Sequence, residues 1–120
     1  MTGSEQLGEF AIIDLFRREF PESAPGLALG IGDDAAVFEG DTSSQLATVD
    51  CLIQDTHFSL AITSWHELGW KSLAVNLSDI AAMGGVPRYA LVSLALPDHT
   101  EVDDVTALYQ GMIELAQQFG

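Results

Sequence analysis

Apolar residues return along this chain with two different periods. Phe10, Ile13, Phe16 and Phe20 recur at helical spacing, and Ile12 and Leu15 widen the stripe, which predicts an amphipathic helix over residues 9–19. Pro21 stops it, Pro21–Gly26 reads as a loop, and residues 1–8 read as a frayed, flexible N-terminus. Leu27–Ile31 and Ala35–Phe38 are short apolar runs on either side of the turn Gly30-Ile31-Gly32-Asp33-Asp34. Leu46–Ile53 is apolar and β-prone except at Asp50, and with Ala35–Phe38 it predicts a hairpin across the polar stretch Glu39–Ser44.

Ser64-Trp65-His66-Glu67 has the form of a capping box and predicts a helix that runs to Met83, where Gly84-Gly85 and Pro87 end it. Tyr89–Leu96 is a nearly continuous apolar run of strand length and reads as a buried strand. Thr100-Glu101-Val102-Asp103 is a second cap pattern. After it Val102, Val105, Leu108, Met112, Leu115 and Phe119 mark a last amphipathic helix. This order predicts an α+β domain over residues 9–120, a small mixed β-sheet with helices packed on one face.

Composition narrows the class. A chain of 120 residues suits one domain. Four Lys and Arg against 18 Asp and Glu give a net charge of −14, which excludes a nucleic-acid partner and an anionic membrane surface, since both need clustered cations. Hydrophobic residues make up 48% of the chain, enough for a core, so disorder is excluded as well. One cysteine, Cys51, permits no internal disulfide and no multi-thiol zinc site, and its apolar surroundings read it as a small core residue. No membrane-length apolar run and no signal peptide are seen, so a soluble, cytoplasmic protein is expected.

The acidic residues suggest the chemistry. Asp33 and Asp34 lie in a glycine turn, Asp50 inside an apolar strand and Asp79 inside a largely apolar helix. A carboxylate in apolar surroundings is costly unless paired, protonated or metal-bound. With so few cations in the chain, a divalent ion held by oxygen ligands, Mg²⁺ or Ca²⁺, is the simplest partner. Each position also has a bland reading: Gly-Asp-Asp as a solvated turn, Asp50 as a strand end or as a solvent-facing position in a half-exposed strand. Thr48 falls on the same strand face as Asp50. Ser72, Asn76 and Asp79 share one helix face, which reads as a polar site or as a solvated stripe. His57 reads as a ligand contact or as a loop-edge residue, and His66 and His99 as surface residues.

Four segments in a fixed order carry a family resemblance: Gly8-Glu9-Phe10, Gly30-Ile31-Gly32-Asp33-Asp34-Ala35-Ala36-Val37, Val49-Asp50-Cys51-Leu52-Ile53 with His57-Phe58, and Lys71 to Gly84 with its Asn76-Leu77-Ser78-Asp79-Ile80-Ala81-Ala82-Met83. Over residues 8–120 the chain resembles the N-terminal part of the thiamine-monophosphate kinases, members of the aminoimidazole-ribonucleotide-synthetase-like superfamily. The resemblance implies phosphorylation of thiamine monophosphate to thiamine diphosphate, with ATP as co-substrate, several Mg²⁺ ions and no covalent intermediate. It implies metal ligation by Asp33, Asp34, Thr48, Asp50 and Asp79, a substrate contact at His57 and a nucleotide contact at Tyr109. Val49 stands where the family commonly has a hydroxyl residue. The resemblance further implies a homodimer in which the sheets of two copies pair. It also implies a C-terminal domain that this chain does not contain, so that the 120 residues alone are expected to be inactive. Two other readings stay open at this level: another ATP-using member of the superfamily, and a non-catalytic acidic metal-binding dimerisation module.

Overall fold

The computed structural model describes residues 8–18, 24–31, 36–40 and 42–120. They fall into two compact units, one within Glu5–Gln45 and the other Leu46–Gly120.

In the first unit the predicted helical stripe forms helix α1, Glu9–Arg17, with Phe16 buried and Arg17 in the last turn, where a cation suits the helix dipole. Gly26, at φ 78°, turns the chain into strand β1, Leu27–Leu29, which pairs antiparallel with strand β2, Val37–Phe38. Leu27 stands opposite Phe38 and Leu29 opposite Val37, so one residue is bulged out of β1. The expected partner of Ala35–Phe38 was Leu46–Ile53; among the described residues it is β1 instead, and Ala35 lies outside them. The ribbon is antiparallel, not mixed.

The second unit is built on two helices. Ser64 caps helix α2, Trp65–Ala82, by accepting the Glu67 N–H at 3.1 Å and donating to Glu67 Oε1 at 3.1 Å. Gly84, at φ 73°, ends it: the Gly85 N–H reaches Ile80 O and the Gly84 N–H reaches Ala81 O, both at 3.0 Å, a Schellman closure. Helix α3 is Val102–Phe119, and its cap sits one residue later than the sequence pattern suggests. Glu101 is the N-cap, and its N–H donates to Asp104 Oδ2 at 3.2 Å.

The two helices cross at two glycines. A Cβ on Gly69 would run into the carbonyl of Leu108, and a Cβ on Gly111 would run into the carbonyl of His66 and come within 2.9 Å of the Trp70 nitrogen. Main chain therefore touches main chain, which only glycine allows. Around this crossing Leu68, Leu108 and Met112 are buried, with Leu52, Phe58, Leu60, Trp65, Leu73 and Tyr109 packed against them. His66 is no bare surface residue: its Nε2 meets Glu114 Oε2 at 2.8 Å, joining α2 to α3.

Leu46–Ile53 and Tyr89–Leu96, expected as strands, form no ladder among the described residues. A strand requires a neighbour's backbone donors and acceptors, whatever its side chains favour. Their apolar side chains are largely open, with Val49 89% and Leu91 93% exposed. The α+β composition thus holds, but in this unit the helices pack on each other.

Gly69→Ala and Gly111→Ala should each destabilise the helix pair by about 1–3 kcal/mol, the range for forced overpacking, even though alanine is the better helix former. Glu114→Gln removes only a part-exposed ion pair and should cost less than about 1 kcal/mol. Urea unfolding read through the fluorescence of Trp65 and Trp70, both on α2, checks this ranking.

Candidate functional site

The site is assembled by laying one segment along one helix. Three anchors define the path. At the C-terminal end of α2, Leu46 packs where Gly85 has no side chain; a Cβ there would be 2.6 Å from Leu46 Cδ1. Midway, the Asp50 carboxyl comes within hydrogen-bonding reach of Asp79. Toward the N-terminal end, Lys71 Nζ donates to the His57 carbonyl oxygen at 3.0 Å. Residues 46–57 therefore run antiparallel to α2. Asp79 and Lys71 are eight residues apart, about 12 Å along a helix axis, and the segment from Asp50 to His57 covers that span.

Alternation explains what faces what. Leu46, Asp50 and Leu52 all meet the helical side, and Thr48 shares their parity. Val49, Cys51 and Ile53 have the opposite parity and are exposed. Cys51, expected as a core residue, is exposed for this reason: burial of Leu52 and the Asp50–Asp79 meeting decide which parity faces in.

Asp50 and Asp79 are thus brought together from 29 residues apart, with His57 close enough to act on Asp50. Partial desolvation, the hydrogen bond that the protonated Asp50 carboxyl donates to Asp79 and the negative charge of Asp79 raise the Asp50 carboxyl above its ordinary value of 3.8, while the positive charge His57 carries when protonated draws it down. No Lys or Arg is among the groups acting on it. Two adjacent carboxylates without a cation hold either a shared proton or a bound cation. The donor set is all oxygen and fits Mg²⁺, which takes one or two carboxylates, keeps several waters and shares phosphate oxygens with its substrate. Among the described residues no cluster of three or more His, Cys, Asp or Glu forms.

The other expected residues fall as follows. Asp33 and Asp34 lie outside the described residues. Thr48 is exposed on the segment that carries Asp50. Of the polar stripe on α2, Ser72 spends its hydroxyl on Gly69 O at 2.9 Å, and Asn76 Nδ2 donates to Ser72 O at 2.8 Å; only Asp79 meets Asp50. Asn76 Oδ1 is buried with no donor among the described residues. Tyr109 packs against the α2–α3 core, where burial pushes the pKa of its hydroxyl upward. Sequence reasoning passed over Lys71. Its signal was available, since it is the one basic residue on α2 and the only lysine in the chain.

Because the native state holds the Asp50 proton more tightly than an unfolded chain titrating at 3.8, this group favours the fold most fully below that value. The contribution is lost as pH rises through the raised native value, above which the two carboxylates repel. Asp79→Asn should bring the Asp50 value down, and so should Mg²⁺, by competing with the proton. A ¹³C titration of the Asp50 carboxyl reads both; no movement with either would separate the two groups.

Comparison with known proteins places these residues in a lineage. Residues 32–120 match the family model described as AIR synthase related protein, N-terminal domain. The chain is 47% identical over 92 residues to the thiamine-monophosphate kinase of Bacillus subtilis, covering 76% of this chain and 28% of that one. It is 38% identical over 116 residues to the thiamine-monophosphate kinase of Mycobacterium tuberculosis, covering 97% of this chain and 34% of the other. The crystal structure of thiamine-monophosphate kinase from Stenotrophomonas maltophilia superimposes with a TM-score of 0.68 at 38% identity, over 94% of this chain and 35% of that one. The chain spans about a third of the length of these relatives. With the family model covering residues 32–120, the chain belongs to the AIR synthase related proteins, as their N-terminal domain.

Proposed function

We propose that this chain is the metal- and substrate-holding domain of a kinase that transfers the terminal phosphoryl group of ATP to thiamine monophosphate. The observation that carries the reading is the Asp50–Asp79 carboxylate pair with His57 beside it, on segments that resemble this family. The relatives' shared name favours this reading over other ATP-using members of the superfamily.

In this reading a phosphate oxygen of thiamine monophosphate forms the new P–O bond. The bond between the terminal phosphorus of ATP and its bridging oxygen breaks, and ADP leaves. Such transfer is mostly positioning and charge neutralisation. Asp50 and Asp79, with Asp33, Asp34 and Thr48, would hold Mg²⁺, whose chemistry when bound is to neutralise the phosphate oxygens. His57 would contact thiamine monophosphate and Tyr109 the nucleotide. The chain's own carboxylates suit this division of labour: with a net charge of −14 they repel a bare polyphosphate and accept one that arrives with its metal.

The proposal extends to a cytoplasmic homodimer. Its support is the exposed apolar parity of residues 46–53 together with the open run Tyr89–Leu96, surfaces that isolated monomers rarely leave bare. Light scattering at micromolar concentration should give twice the 12.9 kDa chain mass; a lone 12.9 kDa species would remove this part.

The catalytic test compares the 120-residue chain with a form as long as its relatives, both given ATP and thiamine monophosphate. The long form should release thiamine diphosphate and ADP, and the short one should be slower by orders of magnitude, since one wall cannot hold donor and acceptor in line. Asp50→Asn in the long form should lower turnover by about 100-fold or more, the scale of losing one charge-stabilising group. A long form that ignores thiamine monophosphate refutes the assignment.

A further inference from the structure

His57 ends a short loop that is closed almost wholly on itself. The His57 N–H donates to Ile53 O at 2.8 Å, the Thr56 N–H to the same oxygen at 3.1 Å and the Asp55 N–H to Phe58 O at 2.6 Å. Asp55 takes the left-handed conformation at φ 64°, which aspartate tolerates better than most residues and which lets so few residues turn back. The loop returns one more bond: the Ile53 N–H donates to His57 Nδ1 at 2.9 Å.

That last bond selects the state of the ring. A nitrogen that accepts an N–H must offer its lone pair, so in the neutral imidazole the proton sits on Nε2. With Nδ1 engaged by the backbone, Nε2–H is the only polar atom the ring can present to a ligand. It presents a donor. An Nε2 that bears its proton has no lone pair for a cation, so His57 is set apart from the oxygen ligands Asp50 and Asp79 next to it.

Among the described residues, one side chain outside the loop reaches its main chain at His57. Lys71 Nζ donates to the His57 carbonyl oxygen at 3.0 Å, reaching from α2 across 14 residues of sequence. Lys71 is fixed to the helix that also carries Asp79, so it ties the distance between the ring and the carboxylate pair to a rigid element. Without it the loop, its Ile53 N–H to Nδ1 bond included, loses the brace from α2 that this side chain supplies.

We propose that Lys71 is a positioning residue that holds His57 on α2, so that the imidazole presents Nε2–H as a hydrogen-bond donor to a phosphate oxygen of the substrate. The inference rests on the reading of His57 as a substrate contact, and its first measurement does not depend on that reading. Two-bond ¹H–¹⁵N correlation spectra at about pH 8, above the ordinary imidazole range, report which ring nitrogen of His57 bears the proton. The wild-type chain should show protonated Nε2 and bare Nδ1, and Lys71→Met should show a mixture of tautomers. On the intact kinase, Lys71→Met should raise KM for thiamine monophosphate by about 10-fold, with kcat and the KM for ATP changed by less than about 3-fold, the signature of lost binding geometry. Lys71→Arg, which still donates, should restore both spectrum and KM. If Lys71→Met does not fold by circular dichroism, Lys71→Gln takes its place.

A proton on Nδ1 in the wild type overturns the inference, as does a Lys71→Met protein with wild-type spectrum or wild-type KM. If wild-type enzyme turns over no thiamine monophosphate, the proposed function fails, and the spectra of the wild type and Lys71→Met still decide the positioning of His57.

Discussion

Everything in the second unit depends on how closely α2 and α3 approach. Gly69 and Gly111 place each helix's backbone against the other's, and the partner atoms are carbonyl groups that cannot move aside as a flexible side chain could. This contact sets the distance at which Leu68, Leu108 and Met112 interlock, and so the groove into which Leu52 and Phe58 pack. Those two residues bracket the loop that holds His57, and Leu52 lies two residues beyond Asp50. The position of a carboxylate at the candidate site is therefore set by two glycines that never touch it.

The Asp50–Asp79 pair is an unfavourable contact made durable by this framework. Like charges at this range oppose each other unless a proton or cation lies between them, and that repulsion adds to desolvation and to hydrogen bonding with Asp79 in raising the Asp50 value. A chain under no demand other than stability would place a lysine opposite one of them. This chain's only lysine instead holds a backbone carbonyl one end of the segment away, leaving the carboxylates unneutralised by protein. Both carboxylates are exposed, so what distinguishes this pair from the other acidic residues is their mutual approach and not burial.

Much of this was legible in the sequence, and the omissions have physical causes. The ends of α2 follow from Ser64, Glu67, Gly84 and Gly85, because caps and left-handed turns are local chemistry. Asp50 and Asp79 stood out singly as carboxylates in apolar runs, and the structure joins them. Strand pairing was misread because it is non-local: the apolar character of Leu46–Ile53 says that it will face something and does not say that it will find a strand. The interior parity of that segment could not be read either, since Cys51 and Leu52 are both acceptable core residues and only the docking on α2 selects Leu52. Gly69 and Gly111 carry no such local signal, because their role is the close approach of a second helix that the sequence does not place.

The same parity gives the segment two different tasks. One face carries Asp50 toward α2; the other turns Val49, Cys51 and Ile53 outward, with Val49 89% exposed. In the proposed dimer a second copy covers that outer face. Covering one face of a segment restricts its motion on the other, so association and metal binding would draw on the same ordering free energy. Whichever came first would lower the cost of the second, and by linkage the coupling is reciprocal. In that proposed dimer a carboxylate on a two-faced segment would be connected to assembly through the segment's other face.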